Sequence, residues 1–190
     1  MKTLTRNTKE TQITATLEVY GEGKAEISTK IGFFNHMLES LCKHTNWNLK
    51  LQCVGDVEVD FHHSVEDCGI VLGTLLKDSL FPIQKVERFG NASIVMDEAC
   101  VECDLDLSNR PFLFFNLETR GKVGDFDCEL VEEFFRAVVI NAGISAHIVQ
   151  KRGKNQHHLI EAAFKAFAVA LRRASARNEA LGIPSTKGIL

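Results

Sequence analysis

The sequence predicts an α+β fold built twice from one unit, and three observations carry that reading. His62-His63-Ser64-Val65-Glu66 leads into an apolar helix-like run that reaches Leu76. His157-His158-Leu159-Ile160-Glu161 leads into a second such run that reaches Leu171, at an offset (62 to 157) of half the 190-residue chain. Only the two His, the Glu and the last Leu are identical between the clusters, which leaves an old duplication or a coincidence. The same preceding succession of strand patterns, a helix and another strand favours duplication. Strand runs followed by helices in this order suggest helices packed on one face of a sheet.

The elements follow in order. Gln12–Tyr20 and Lys24–Thr29 have strand patterns, and Gly21-Glu22-Gly23 between them reads as a hairpin turn. Phe33–Lys43 is a helix candidate, Leu49–Val54 a β-rich segment, and His62 opens the second helix. In the second half, Ala92–Asp106 reads as one long strand of roughly alternating apolar and polar residues, and Phe112–Glu118 as another. Arg120–Gly124 reads as a loop, Glu129–Asn141 as a helix, His147–Gln150 as a strand, and Gly153-Lys154-Asn155 as the turn feeding the last helix. The tail Gly182–Leu190, with Pro184 and Gly188, is not helical. Without a long linker, residues 1–190 are expected to form a single domain of two repeats, about 1–90 and 91–190.

Composition narrows the function classes. Hydrophobic residues make up 45% and charged residues 25%, which excludes disordered and collagen-like classes. A net charge of −3 counts against a protein that holds nucleic acid through its phosphates. No apolar stretch is long enough to span a membrane, and Met1–Thr8 lacks the apolar core of a signal peptide. The cytoplasm is therefore the expected compartment, and the six cysteines are expected to be free thiols. Cys100 and Cys103 have CxxC spacing, but in a strand residues three apart point to opposite faces and cannot share a metal.

The seven histidines are more informative. At a helix start, His62 and Glu66 share one face and can grip one ion from one side, as can His157 and Glu161. His63 and His158 point about 100° away around the helix and could reach a different ion. Two such clusters suggest two metal sites, each drawing on both halves, with His36 and His147 as natural further ligands. Imidazole with carboxylate favours Mn, Fe, Zn, Co or Ni over Ca and Mg. The bland alternative is that paired histidines simply begin two helices. Arg88, Arg110, Lys165, Ser185, Thr186 and Lys187 form a candidate phosphate site, since they combine guanidinium forks, ammonium charges and hydroxyl donors. Taken singly, each is more often a solvated surface residue, since the chain carries 22 Lys and Arg. Lys165 lies one turn after Glu161, which suggests an anionic group docked beside the metal.

The motifs together resemble a known family. Ile31-Gly-Phe-Phe-Asn-His36-Met-Leu38, His62-His-Ser-Val-Glu-Asp67, Arg88-Phe-Gly90, Met96-Asp-Glu-Ala99 and Asp106-Leu-Ser-Asn-Arg-Pro111 resemble segments of imidazoleglycerol-phosphate dehydratase. So do Asn155-Gln-His-His-Leu-Ile-Glu-Ala-Ala-Phe-Lys165, Pro184-Ser-Thr-Lys-Gly-Ile-Leu190, and the opening Arg6-x-Thr8-x-Glu10-Thr11. The resemblance covers nearly the whole chain in the right order and is to the stand-alone form, without the fused histidinol-phosphatase domain of some bacterial relatives. It implies a duplicated βββαβα fold like the second domain of ribosomal protein S5. It also implies a lyase of histidine biosynthesis converting imidazole glycerol phosphate to imidazole acetol phosphate. The cofactor implied is Mn(II), two ions per active site with other divalent transition metals able to substitute, in a 24-subunit homo-oligomer with metal sites between subunits. No nucleic-acid or membrane partner is expected.

The chemistry shows why such residues are needed. The hydrogen lost lies on a carbinol carbon with no adjacent carbonyl, so a base alone could hardly remove it. A metal on one ring nitrogen favours the imidazolate, which can expel the neighbouring hydroxyl. The resulting diazafulvene acidifies the remaining C–H, and positioned acid and base groups complete the reaction.

By resemblance, His36, His62, His63, Glu66, His147, His157, His158 and Glu161 match metal-ligand positions. Glu10 matches an acid/base carboxylate, with Glu161 and His63 as further catalytic candidates. Glu10, His36, His44 and His62 match substrate-contact positions, and Arg88, Arg110, Lys165, Ser185, Thr186 and Lys187 the phosphate pocket. Three positions depart from the family pattern: Asn35 stands for an Asp, Phe61 for an Asp, and Asn109 for a Gly. Loss of two carboxylates near the metals is expected to weaken orientation of the ligating histidines. The competing readings are a metal-assembled scaffold without catalysis, a metal-dependent hydrolase of another phosphorylated metabolite, and an RNA-binding module on an S5-like fold.

Overall fold

The computed structural model describes all 190 residues, Met1–Leu190. The first half runs β1 (Lys2–Asn7), β2 (Thr11–Glu18), β3 (Ala25–Ser28), α1 (Gly32–Thr45), β4 (Asn48–Gly55) and α2 (His62–Leu80). The second runs β5 (Phe89–Met96), β6 (Ala99–Asp106), β7 (Phe112–Asn116), the two-residue strands β8 (Lys122–Val123) and β9 (Phe126–Asp127), α3 (Leu130–Ala142), β10 (Ser145–Arg152) and α4 (Gln156–Ala174). The sheets have the orders β1-β2-β4-β3 and β5-β6-β10-β7. In both, the first two pairings are antiparallel and the last is parallel. The βββαβα unit is therefore repeated, with β8 and β9 inserted in the second copy.

Side-chain alternation decides which sheet face is covered. Ile13, Ala15 and Leu17 of β2, and Leu49, Leu51 and Cys53 of β4, are buried, whereas Gln12, Thr14, Lys50 and Gln52 face outward. One face of each sheet thus meets the helices. Across the halves α2 packs on α3 and α1 on α4, so the core is a single cluster of 54 buried residues. Phe34 of α1, Phe134 and Phe135 of α3 and Phe164 of α4 join at centroid spacings of 4.8–5.3 Å, knitting the helices from both halves together.

Two local expectations are corrected. Gly21–Gly23 does not turn a hairpin, because β4 lies between β2 and β3 and pairs with both. The Asn48 side chain holds this connection by accepting the Glu22 and Lys24 amides at 2.9 and 3.1 Å. Ala92–Asp106 is two strands, not one. Met96 pairs with Ala99, and the chain reverses at Asp97-Glu98, with Asp97 in the left-handed region at φ 49°. Asp and Asn tolerate that region better than most residues, so an alternation that continues across the turn conceals it. Edge strand β1 completes the first sheet through the antiparallel register Lys2↔Leu17 to Asn7↔Gln12. All six cysteines are free and buried. Cys103 faces the core while Cys100 lies on the other face of β6, beside Ser93.

Candidate active site

Helix α4 begins with Asn155 as its cap, the side chain accepting the His158 amide at 3.3 Å. Its first turn presents His157, and one turn later comes Glu161. His157 Nε2 lies 3.1 Å from Glu161 Oε2, and His36 Nε2, from α1 in the other half, lies 3.5 Å from the same oxygen. These are the three residues whose ligand atoms all lie within 4.8 Å of one another. Two imidazoles and a carboxylate suit a divalent transition metal, so the donor set fits such an ion. Lys165 Nζ bonds the other Glu161 oxygen at 2.7 Å. Burial raises the pKa of this carboxyl, but Lys165, His157 and His36 outweigh it, and the net shift is below the ordinary value. His44, farther along α1, has a lowered pKa through burial and the nearby Lys165 and Arg172.

The other half builds a related cluster at the start of α2. His62 Nε2 and Glu66 Oε2 are 3.8 Å apart, with no third ligand completing a group as in the first cluster. His63 Nδ1 meets the Asp56 carboxylate at 3.0 and 3.1 Å, and His63 Nε2 faces Glu10 Oε1 at 3.7 Å. Glu10 reaches this place because the β1–β2 hairpin is fastened to α2. Arg6 Nε donates to Asp67 at 3.0 Å, and the buried Thr11 hydroxyl donates to the same carboxylate. In the second half, His158 Nδ1 meets Glu98 at 2.7 Å. Glu98 also accepts the Lys154 and Asn155 amides at 3.2 and 2.8 Å. His158 and these two amides lower the Glu98 pKa to about 2.

The remaining predicted residues lie elsewhere. His147 stands exposed on the outer face of β10, with the Phe112 and Phe114 rings of β7 at 5.9 and 5.5 Å. Arg88, Arg110, Ser185, Thr186 and Lys187 line an open cleft of about 760 Å³. Lys165 does not join them; it stays at Glu161. In the cleft the Arg88 guanidinium is already engaged: Nε and Nη2 bond Asp106 at 2.8 and 3.2 Å, and Nη1 bonds the Pro184 carbonyl at 2.7 Å. Arg110 is largely exposed, at 3.6 Å from Asp106, so Arg110 and Lys187 are the cations better placed to meet an anion. The cleft adjoins the C-terminal end of α4, where the Arg88 amide bonds the Ala174 carbonyl. His157 is at the other end, about 25 Å away along the helix axis.

The three departures have local explanations. Asn35 Oδ1 accepts the Thr29 hydroxyl and amide at 2.6 and 3.1 Å, so the amide oxygen braces the turn before α1, and no carboxylate is required for that task. Asp60 accepts the His62 amide at 2.7 Å, while Phe61 packs against the core. Asn109 sits at φ 53°, which a Gly takes freely and Asn tolerates. Sequence reasoning missed Asp56, Glu98, Asp67 and Asp106 as site residues. Glu98, Asp67 and Asp106 lie in segments that carry the family resemblance, but nothing in their spacing discloses a partner.

Duplicated βββαβα units carrying a two-histidine, one-carboxylate cluster between their halves define a mixed α+β protein with a group that could hold a metal ion. Comparison with known proteins gives the particular family. Residues 29–171 match the family model Imidazoleglycerol-phosphate dehydratase. Curated relatives with that name are 68% identical in Wolinella succinogenes and 61% in Aliarcobacter butzleri, each over the whole of both chains. The crystal structure of the Staphylococcus aureus dehydratase has a TM-score of 0.83 at 40% identity, covering 94% of this chain and 100% of that one. The Pyrococcus furiosus enzyme, in complex with (S)-C348, has a TM-score of 0.85 at 34% identity, covering 98% and 100%. The chain belongs to the imidazoleglycerol-phosphate dehydratase family and is a carbon–oxygen hydro-lyase of histidine biosynthesis.

Proposed function

We propose that the protein dehydrates imidazole glycerol phosphate to imidazole acetol phosphate with Mn(II), two ions per active site. The observation that carries the reading is the convergence of His36, from one half, on His157 and Glu161, from the other. His62, Glu66, His63, His158 and His147 are the further ligands in this reading. When bound, the ion supplies Lewis acidity to the substrate's imidazole and eases departure of the neighbouring hydroxyl.

The chain's own residues do the rest. Glu10, beside His63 Nε2, takes or returns the proton of the reacting carbons. Lys165 keeps Glu161 ionised and turned toward His157 and His36. Arg110, Lys187, Ser185 and Thr186 hold the phosphate, with Arg88 fixing the tail that carries the last three.

A ring and a phosphate joined by three carbons extend less than about 10 Å. They cannot bridge the cleft and the His157 cluster of one chain, about 25 Å apart along α4. The active site is therefore shared between copies in a homo-oligomer, a 24-mer in this reading, with metal sites between subunits. Exposed Phe112 and Phe114 around His147 suit such a contact. The single core cluster supports one dehydratase domain of two repeats, about 1–90 and 91–190. Six free buried thiols accord with a reducing, cytoplasmic setting, and no helix is long and apolar enough to cross a membrane.

The test is turnover of imidazole glycerol phosphate by chelator-stripped protein with and without added Mn(II), following the ketone. Activity restored by the metal is expected. Absence of activity with Mn(II) demonstrably bound would favour a metal-assembled scaffold.

A further inference from the structure

The two repeats place an acidic residue at the same point of their first hairpins. Glu10 immediately precedes β2 and Glu98 immediately precedes β6, and each approaches the second histidine of its own repeat's pair. They approach different nitrogens. Glu10 faces His63 Nε2 at 3.7 Å, whereas Glu98 bonds His158 Nδ1 at 2.7 Å. In the first repeat Nδ1 is instead held by Asp56, the residue that immediately follows β4.

We propose that Asp56 and Glu98 are positioning residues which hold His63 and His158 by Nδ1 so that Nε2 is presented to the metal, leaving Glu10 as the hairpin carboxylate free for proton transfer. The proposal rests on the reading of His63 and His158 as metal ligands. A neutral imidazole has one N–H and one lone pair, so a carboxylate accepting from Nδ1 fixes the lone pair on Nε2.

The switch of acceptor between repeats has a chemical cause. Gly153 is the counterpart of Gly55, not of Asp56: Gly55 pairs with Thr11, the residue after Glu10, and Gly153 lies against Ala99, the residue after Glu98. The residue that matches Asp56 is therefore Lys154, whose ammonium is a donor only and cannot accept an imidazole N–H. The second repeat must hold its histidine from somewhere else, and the hairpin carboxylate is within reach. Glu98 is further fixed by the Lys154 and Asn155 amides. Glu10 is held by no such pair of amides, and its hydrogen-bonding capacity remains available. The second hairpin thus carries two acids, Glu98 on His158 Nδ1 and Asp97 3.7 Å from Nε2. In the first repeat Asp56 takes the orienting task and leaves Glu10 for the reaction.

The experiment measures Mn(II) affinity of the full-chain protein by chelator competition, together with thermal stability and assembly state, for E98Q, D56N, E10Q, H158Q and H63Q. E98Q and D56N are expected to bind Mn(II) about 10- to 100-fold more weakly, and E10Q as tightly as the wild type. The decisive readout is the double variant. If Glu98 acts through His158, adding E98Q to H158Q weakens binding no further, and adding D56N to H63Q likewise. A general structural role would lower affinity again in the double variants and would overturn the assignment. E98D, which keeps the charge, should recover part of the loss and covers the case in which E98Q disturbs the turn. Wild-type affinity in E98Q and D56N, with H158Q and H63Q impaired, would overturn the positioning roles and leave the metal reading intact. Unchanged affinity in H158Q and H63Q would remove the metal reading and the proposal together.

Discussion

Glu161 gathers His36, His157 and Lys165 around one nearly buried carboxylate, and the surrounding positive groups outweigh the burial that would otherwise neutralise it. Glu10 is its opposite: half exposed, near His63, and tied to no cation. That difference in surroundings suits Glu161 to holding an ion and Glu10 to moving a proton. Replacing Glu10 by Gln is expected to preserve substrate binding while lowering kcat by about 10²- to 10⁴-fold. Steady-state kinetics with equilibrium binding will check this, and near-normal kcat would remove Glu10 from the mechanism. Cys42 offers a residue-level test of the core. Burial pushes its thiol from 9.0 up to about 12. The unfolded chain loses that proton first, so this contribution to stability is complete below pH 9.0 and erodes between 9.0 and about 12. Denaturant midpoints should fall more steeply with alkaline pH in the wild type than in C42A; parallel curves would contradict it.

At the level of elements, the decisive device is a helix that begins with paired histidines and packs by its later turns. In α2, Gly69 and Gly73 let α3 approach closely. A Cβ on Gly73 would lie 2.5 Å from the Val138 carbonyl oxygen and 2.8 Å from Asn141 Cβ. G73A gains helix propensity of about 1 kcal/mol but overpacks the crossing, so a net loss on the order of 1–2 kcal/mol is expected in thermal unfolding. A Tm equal to or above that of the wild type would show that the helices can move apart without cost. The helices themselves are legible in the sequence, since their apolar spacing is long and regular, and their histidine-bearing starts declare themselves by repetition. The Asp97-Glu98 reversal is not, because alternation runs through it. The position of β4 between β2 and β3 is not legible either, since strand pairing is a long-range choice that leaves no local pattern.

The whole molecule separates parts that the proposed reaction brings together. One chain holds the His157 cluster at one end of α4, the phosphate-type cleft at the other, and His147 on an outer sheet face. If copies share sites, two inactive variants should complement each other. E161Q and K187A, dissociated and reassembled together, are expected to regain dehydratase activity that neither shows when reassembled alone. Failure to recover activity in demonstrably mixed oligomers would place the complete site within one chain.

What the sequence by itself determined was the duplicated α+β plan, the histidine and glutamate inventory, and the family, because periodicity, repetition and motif order are properties of the linear chain. Tertiary structure alone decided that His36 joins the other half's cluster and that Lys165 belongs to Glu161 and not to the cleft. It also decided that Asp56 and Glu98 exchange one task between repeats. Those outcomes depend on helix crossings, strand insertion and the register that sets one loop residue opposite another, distances that no residue carries in its own identity.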